Sequence, residues 1–188
     1  MMTKIYDIEE LKSAIDWQNK SVAIIGKGKY NSKYVFNKDT TEVFGINESI
    51  LFYPHTKWTV IVEAHWKKNY PIVNGNVENI VYIPKGKMKP LKLISGCTPS
   101  LFISYILKHI QNWGKILYLQ GFSMDGRSPA NDPFPYDWKR QESAFRQCFD
   151  VAREKRITMG FVTPCTRAQD LPRICPTALD IMISQSQI

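Results

Sequence analysis

Four stretches of this chain put glycine or small polar residues where a strand-like run ends, an arrangement that lets backbone and hydroxyl groups reach a bound anion. The first is Ser21-Val22-Ala23-Ile24-Ile25 breaking into Gly26-Lys27-Gly28. Glycines in such a turn let the backbone approach a phosphate that a side chain would block. The G-x-G-x-x-G pattern stops short here, because Asn31 stands where the third glycine belongs. In the second, Gly45-Ile46-Asn47-Glu48, Asn47 either holds a ribose or base edge or stabilises a turn. Ser95-Gly96-Cys97-Thr98 opens a helix whose free N–H groups suit a phosphate or carboxylate, with Ser95 and Thr98 as hydroxyl donors; otherwise Thr98 is simply the cap. The fourth, Gly121-Phe122-Ser123-Met124-Asp125-Gly126, carries Asp125 as a metal ligand, a general base or a turn aspartate. Glu63 and His65, beside Trp66, can exchange a proton near neutral pH or form a surface pair. Cys97 at a helix start can have a depressed pKa. Lys27, Lys29, Lys85, Lys87, Lys89 and Lys92 either surround an anion or are solvated.

The chain that must position these groups has 188 residues, enough for one domain with its own core. Its 44% hydrophobic and 22% charged content is that of a folded globular protein. A net charge of +8 favours anionic partners such as nucleotides or nucleic acid. Cys97, Cys148, Cys165 and Cys175 lack C-x-x-C spacing, and His55, His65 and His109 are scattered, so no zinc motif is present. The polar start and the short apolar runs lead us to expect a cytoplasmic protein with reduced thiols and no membrane span.

Asp7 and Glu10 form a capping-box pattern, and Ile8, Leu11 and Ile15 predict a helix from Ile8 to Gln18. Strands are predicted at Val22–Ile25, Glu42–Ile46, Trp58–Glu63, Asn79–Ile83, Lys115–Gln120 and Ile157–Val162. Helices are predicted from Thr98 to before Gly114, with threonine as N-cap and Pro99 at the first position, and from Asp137 to Lys155. Ser123–Tyr136 reads as a loop and the tail after Pro164 as irregular. Strands alternating with helices predict an α/β domain with a mostly parallel sheet.

Taken in order, Ile24-Ile25-Gly26-x-Gly28, Gly45-Ile46-Asn47, Ser95-Gly96 at a helix start and Ile116-Leu117-Tyr118-Leu119-Gln120-Gly121-Phe122 resemble a Rossmann-like group. It includes bacterial sialyltransferases, archaeal 6-hydroxymethylpterin diphosphokinase-like proteins and small phage proteins. The resemblance runs from about Val22 to Arg173. The tail, Phe161-Val162-Thr163-Pro164-Cys165-Thr166-Arg167 with Asp170-Leu171-Pro172-Arg173, is similar to the phage members, and a host-cytoplasm setting follows if the chain is phage-encoded.

This resemblance implies a three-layer Rossmann-like domain over residues 1–188 that holds a nucleotide at Gly26, Gly28, Asn47, Ser95, Gly96 and Gly121. Lys27, Thr98 and Ser123 join them as neighbouring donors. The expected activity is a nucleotide- or nucleotide-sugar-dependent, glycosyltransferase-like transfer, with Asp125 or His65 as base and a sugar or nucleic-acid base as acceptor. A phosphoryl-transfer variant would use Asp125 and magnesium, and the alternative is a non-catalytic, sequestering nucleotide binder. A nucleic-acid module using the lysines and aromatics is a third reading. Two departures bear on mechanism: Ser123 replaces the group's usual acidic residue after Gly-Phe, and no histidine follows His109 to act as the sialyltransferases' general base.

Overall fold

The computed structural model describes residues 2–87, 97–110, 113–125 and 138–182. Their β-rich runs form one seven-stranded, all-parallel sheet: β1 (Lys4–Asp7), β2 (Ser21–Ile25), β3 (Thr41–Ile46), β4 (Trp58–Val62), β5 (Asn79–Ile83), β6 (Ile116–Gln120) and β7 (Thr158–Phe161). Their spatial order is β1-β5-β4-β3-β2-β6-β7. Within it, β4-β3-β2-β6-β7 repeats the 3-2-1-4-5 order of doubly wound sheets. β2 is the pivot. It pairs with β3 on one side (Ile25 opposite Gly45) and with β6 on the other (Ile25 opposite Gln120), so the chain reverses its winding direction there.

The strands are apolar on both faces because both faces are covered. On one lie α1 (Leu11–Ala14), α3 (Thr98–His109) and α4 (Trp138–Glu154), enclosing Ile24, Phe44, Val60, Leu119 and Phe161. Phe145 of α4 meets Phe122 and Phe161 at ring distances of 5.3 and 5.6 Å, closing this side over the pivot. The other face is divided. α2 (Glu63–Val73) covers Ile61 and Ile80, while irregular chain covers Ala23, Ile25 and Tyr118.

That irregular cover departs from the expected βα turn. Residues 26–40, between β2 and β3, contain no helix, so the Gly26–Gly28 turn has no helix dipole behind it. The C-terminal tail lies over this face instead. Ile181 bridges Phe36, Met182 N donates to Val35 O at 2.7 Å, and Asn37 N donates to Asp180 O at 2.9 Å. Tyr118 Oη donates to Asp180 Oδ2 at 2.7 Å through a carboxylate that is only 7% exposed.

Burial alone would push the Asp180 carboxyl up, but hydrogen bonds from Tyr118, Thr40, Ser21 and Thr177 outweigh it and hold it below its ordinary value. A depressed native pKa gives stability that is present above the unfolded value, near 4, and lost as pH falls through the native one. Hydrogen-exchange protection of the Asp180 and Met182 amides should therefore fall as the pH drops below about 4, while the sheet stays protected. Asp180→Asn should remove that pH dependence, and tail protection indifferent to pH in the native protein would contradict the assignment.

Several expected elements shift. The Asp7–Glu10 capping box is present, but the helix predicted over Ile8–Gln18 is a 3-10 turn (Ile8–Glu10) followed by α1, ended where Ile15 turns extended. Trp17 Nε1 then donates to Leu11 O, and Asn19 to Asp16, fixing a turn in place of further helix. Glu63 starts α2 and does not end a strand. The cap of α3 is Cys97, one residue earlier than expected, with Thr98 in the first turn. Asp137, the expected cap of α4, most of the Ser123–Tyr136 loop, Lys89 and Lys92 lie outside the described residues.

Candidate functional site

The carboxyl edge of the sheet is where ligands collect in folds of this kind, at the point of reversed winding. Here that point lies between β2 and β6, where their exits are locked together. Gly26 N donates to Gln120 O at 2.8 Å and Gly28 N to Gly121 O at 2.7 Å. A Cβ on Gly26 would sit 2.6 Å from Gly121 O, and one on Gly28 would sit 2.5 Å from the same oxygen and 2.7 Å from Ser123 Oγ. Both glycines thus let two loops touch. Gly121 has φ +78°, and Asn31, in the place of the missing third glycine, packs its Cβ where a side chain on residue 121 would go.

Gln120, fully buried, organises the next segment. Its Nε2 donates to Asn31 O at 2.6 Å and Tyr34 O at 3.0 Å, and its Oε1 accepts from Tyr34 N at 3.1 Å. Lys29 N adds a bond to Ser123 Oγ at 3.3 Å.

The exit of β3 holds the richest chemistry. Asn47, Glu48 and Ser49 are all buried, in a 3-10 turn over Asn47–Leu51. Lys27 Nζ lies 2.9 Å from Glu48 Oε1, with the two side chains only 12% and 6% exposed. Yet Asn47 Oδ1, Glu48 Oε2 and Ser49 Oγ have no hydrogen-bond partner. Unpaired buried polar atoms cost about 1–3 kcal/mol each, and of the eight such side-chain atoms among the described residues these three fall on consecutive residues at one strand exit. Strain marks the same edge: Tyr30, Asn47 and Met124, three of the four described non-glycine residues with left-handed φ, lie on the loops leaving β2, β3 and β6.

Other expected members lie farther off. Half-buried Asp125 follows β6, and exposed His65 sits in the first turn of α2 after β4. Three strand spacings, about 14 Å, separate β6 from β4, so the two residues leave strands that are not neighbours. Glu63 accepts from Lys85 N, and Lys87 pairs with Asp7 at 3.0 Å, placing those lysines over β5 and β1, away from the pivot. Thr98 is buried in the first turn of α3, where a Cys97–Ser100 capping box already serves the helix end. Burial pushes the Cys97 thiol up, opposite to the depression expected at a helix start, and its hydrogen bonds with Ser100 and Gln141 only offset part of that. Ser95 and Gly96 lie outside the described residues.

A cleft of about 250 Å³ between Lys12–Gln18 and Tyr105–Ile110 opens at the opposite, amino-terminal edge and is separate from this site. Among the described residues, no three His, Cys, Asp or Glu side chains converge as a metal site, and no helix is long and apolar enough to cross a membrane.

Glu48 and Ser49 are the members sequence reasoning passed over. A signal existed: an acid about 20 residues past the glycine turn, at the end of the next strand, is the usual ribose partner in dinucleotide-binding sheets. Glu48 lies 20 positions after Gly28.

No protein-family model matches the chain, and no curated protein resembles it significantly in sequence. Among solved structures, it is similar to 1-deoxy-D-xylulose 5-phosphate reductoisomerase from Zymomonas mobilis in complex with NADPH, at 15% identity and a TM-score of 0.39. That match covers 78% of this chain and 39% of the reductoisomerase, so the chain spans about two fifths of that enzyme's length. The strand order and helix layers define the class on their own: an α/β domain with a Rossmann-like, all-parallel sheet.

Proposed function

We propose that the protein is a nucleotide-dependent transferase, glycosyltransferase-like, whose donor binds at the carboxyl edge across β2, β3 and β6. The observation that carries this reading is the unpartnered row Asn47 Oδ1, Glu48 Oε2 and Ser49 Oγ beside Lys27. Two of these atoms can only accept hydrogen bonds, and a ribose diol or a base amine offers the matching donors. Lys27 brings positive charge to the same place for a phosphate, and Gly28 and Ser123 line the neighbouring wall. Asp125, on the loop after β6, is the better-placed base; His65 is left to the rim. Ser95 and Gly96 keep the phosphate-side role that the family resemblance implies, and a phosphoryl-transfer variant would draw magnesium to Asp125. The transferase chemistry rests on that resemblance, with its sialyltransferase, pterin-kinase and phage branches.

A nucleotide at a hundred times its dissociation constant should add about 2.7 kcal/mol, a thermal-unfolding rise of about 5–10 °C. Glu48→Gln should abolish the rise without unfolding the protein. No shift with any nucleoside diphosphate, monophosphate or nucleotide sugar would remove the reading.

The second reading, a sequestering binder, needs the same Asn47–Ser49 acceptors but no base. If Asp125→Asn leaves ligand affinity intact and no nucleotide sugar is turned over by the native protein, the binder stands.

A further inference from the structure

Tyr30 combines three properties that folding alone does not call for. The residue is 49% exposed, its backbone is left-handed at φ 65°, and it lies on the loop leaving the pivot strand. A bulky residue in that conformation is strained, and glycine would hold it at no steric cost. The loop around it is built with care. Gln120 pins Asn31 and Tyr34 through three hydrogen bonds, Gly28 is fixed to Gly121, and Ser32 Oγ donates to Phe52 O at 2.6 Å. The result is a loop tied down on both sides of Tyr30, with Tyr30 itself left exposed.

The loop that carries it is basic, although Lys27 is taken up by Glu48. Residues 27–38 contain four lysines and no acid. Lys29 Nζ lies 5.0 Å from the Tyr30 ring centre, and Lys33 Nζ lies 5.2 Å from the half-buried Tyr34 ring. Aromatic platforms alternating with cations at short intervals suit a polymer that alternates flat bases with phosphates. An acidic peptide would satisfy the lysines but leave the strained tyrosine without a reason.

We propose that this loop is a docking lip for single-stranded nucleic acid, with Tyr30 stacking on a base and Lys29 and Lys33 contacting the flanking phosphates. The lip adjoins the Asn47–Ser49 site, because Lys27 of the same loop pairs with Glu48 and Ser32 donates to Phe52 O, but Tyr30, Lys29 and Lys33 have no part in that site, so variants at these three test the lip alone.

The test is fluorescence polarisation of a labelled oligothymidylate over a range of salt concentrations. Binding should weaken with salt, and Lys29→Ser and Lys33→Ser should each reduce the slope of log affinity against log salt by about 0.7. Tyr30→Gly should lower affinity about ten-fold while leaving the thermal midpoint equal or higher, because strain is relieved. Tyr30→Phe should bind like the native protein. Native-like binding by Tyr30→Gly would overturn the proposal, as would salt-insensitive binding or none at low salt. So would equal competition by a base-free polyphosphate, which would show that charge alone is recognised.

Discussion

Gly28→Ala and Gly121→Ala are each expected to destabilise the protein by about 2–5 kcal/mol, read as a lowered urea midpoint with an unchanged slope. At position 28 the new methyl would press on the Gly121 carbonyl at 2.5 Å and on the Ser123 backbone nitrogen at 2.9 Å; both belong to backbone that cannot swing aside. At position 121 the methyl meets Asn31 Cβ at 2.5 Å, and the left-handed backbone adds its own cost. Combining Gly121→Ala with Asn31→Gly should recover only the part of the crowding due to Asn31 Cβ, because Asn31 Cα at 2.9 Å and Gly26 O at 3.0 Å still meet the methyl. If Gly28→Ala kept full stability and lost only nucleotide binding, the turn would be a ligand cradle and not a loop-to-loop contact.

Lys27→Met is the second large effect, at about 3–5 kcal/mol, because it strands the Glu48 carboxylate in a site where both side chains are mostly buried. Glu48→Gln should cost less, since the lysine stem can carry its charge toward solvent. The double variant Lys27→Met with Glu48→Gln should be more stable than Lys27→Met alone, since the stranded charge is gone. A double variant as unstable as the sum of the singles would mean that the pair is not coupled. The cycle is read by denaturant unfolding in the absence of nucleotide, so it tests the pair and not the ligand.

The strands near the pivot were legible because a strand buried on both faces must be written in continuous apolar residues, as Val22–Ile25 and Trp58–Val62 are. β1 was not, because Lys4–Asp7 is an edge strand with Ile5 exposed, and half of its letters are charged. α2 was hidden by Pro71 inside it and by a buried face that includes Asn69, so no apolar period shows. The candidate site was half legible. Asn47 could be placed from a strand end, and Asp125 likewise, whereas the burial and pairing of Glu48 depend on Lys27 folding across from a different strand. Nor does local sequence reveal that Gly26 and Gly28 face another loop: their neighbour Gly121 is more than 90 residues away and only β-sheet order brings it there.

The strap formed by residues 174–182 has a consequence for how the chain is made. Its partners, Val35, Phe36, Asn37 and Thr40, leave the ribosome about 140 residues earlier. Until residues 174–182 emerge, one side of the central strands therefore waits uncovered, with Phe36, Tyr53 and Tyr118 accessible to water and to other nascent chains. Closing so long a loop is a late and entropically costly event. The growing polypeptide is thus most open to chaperones and to self-association just before its last described residues arrive, and Asp180 is the latch that ends that interval.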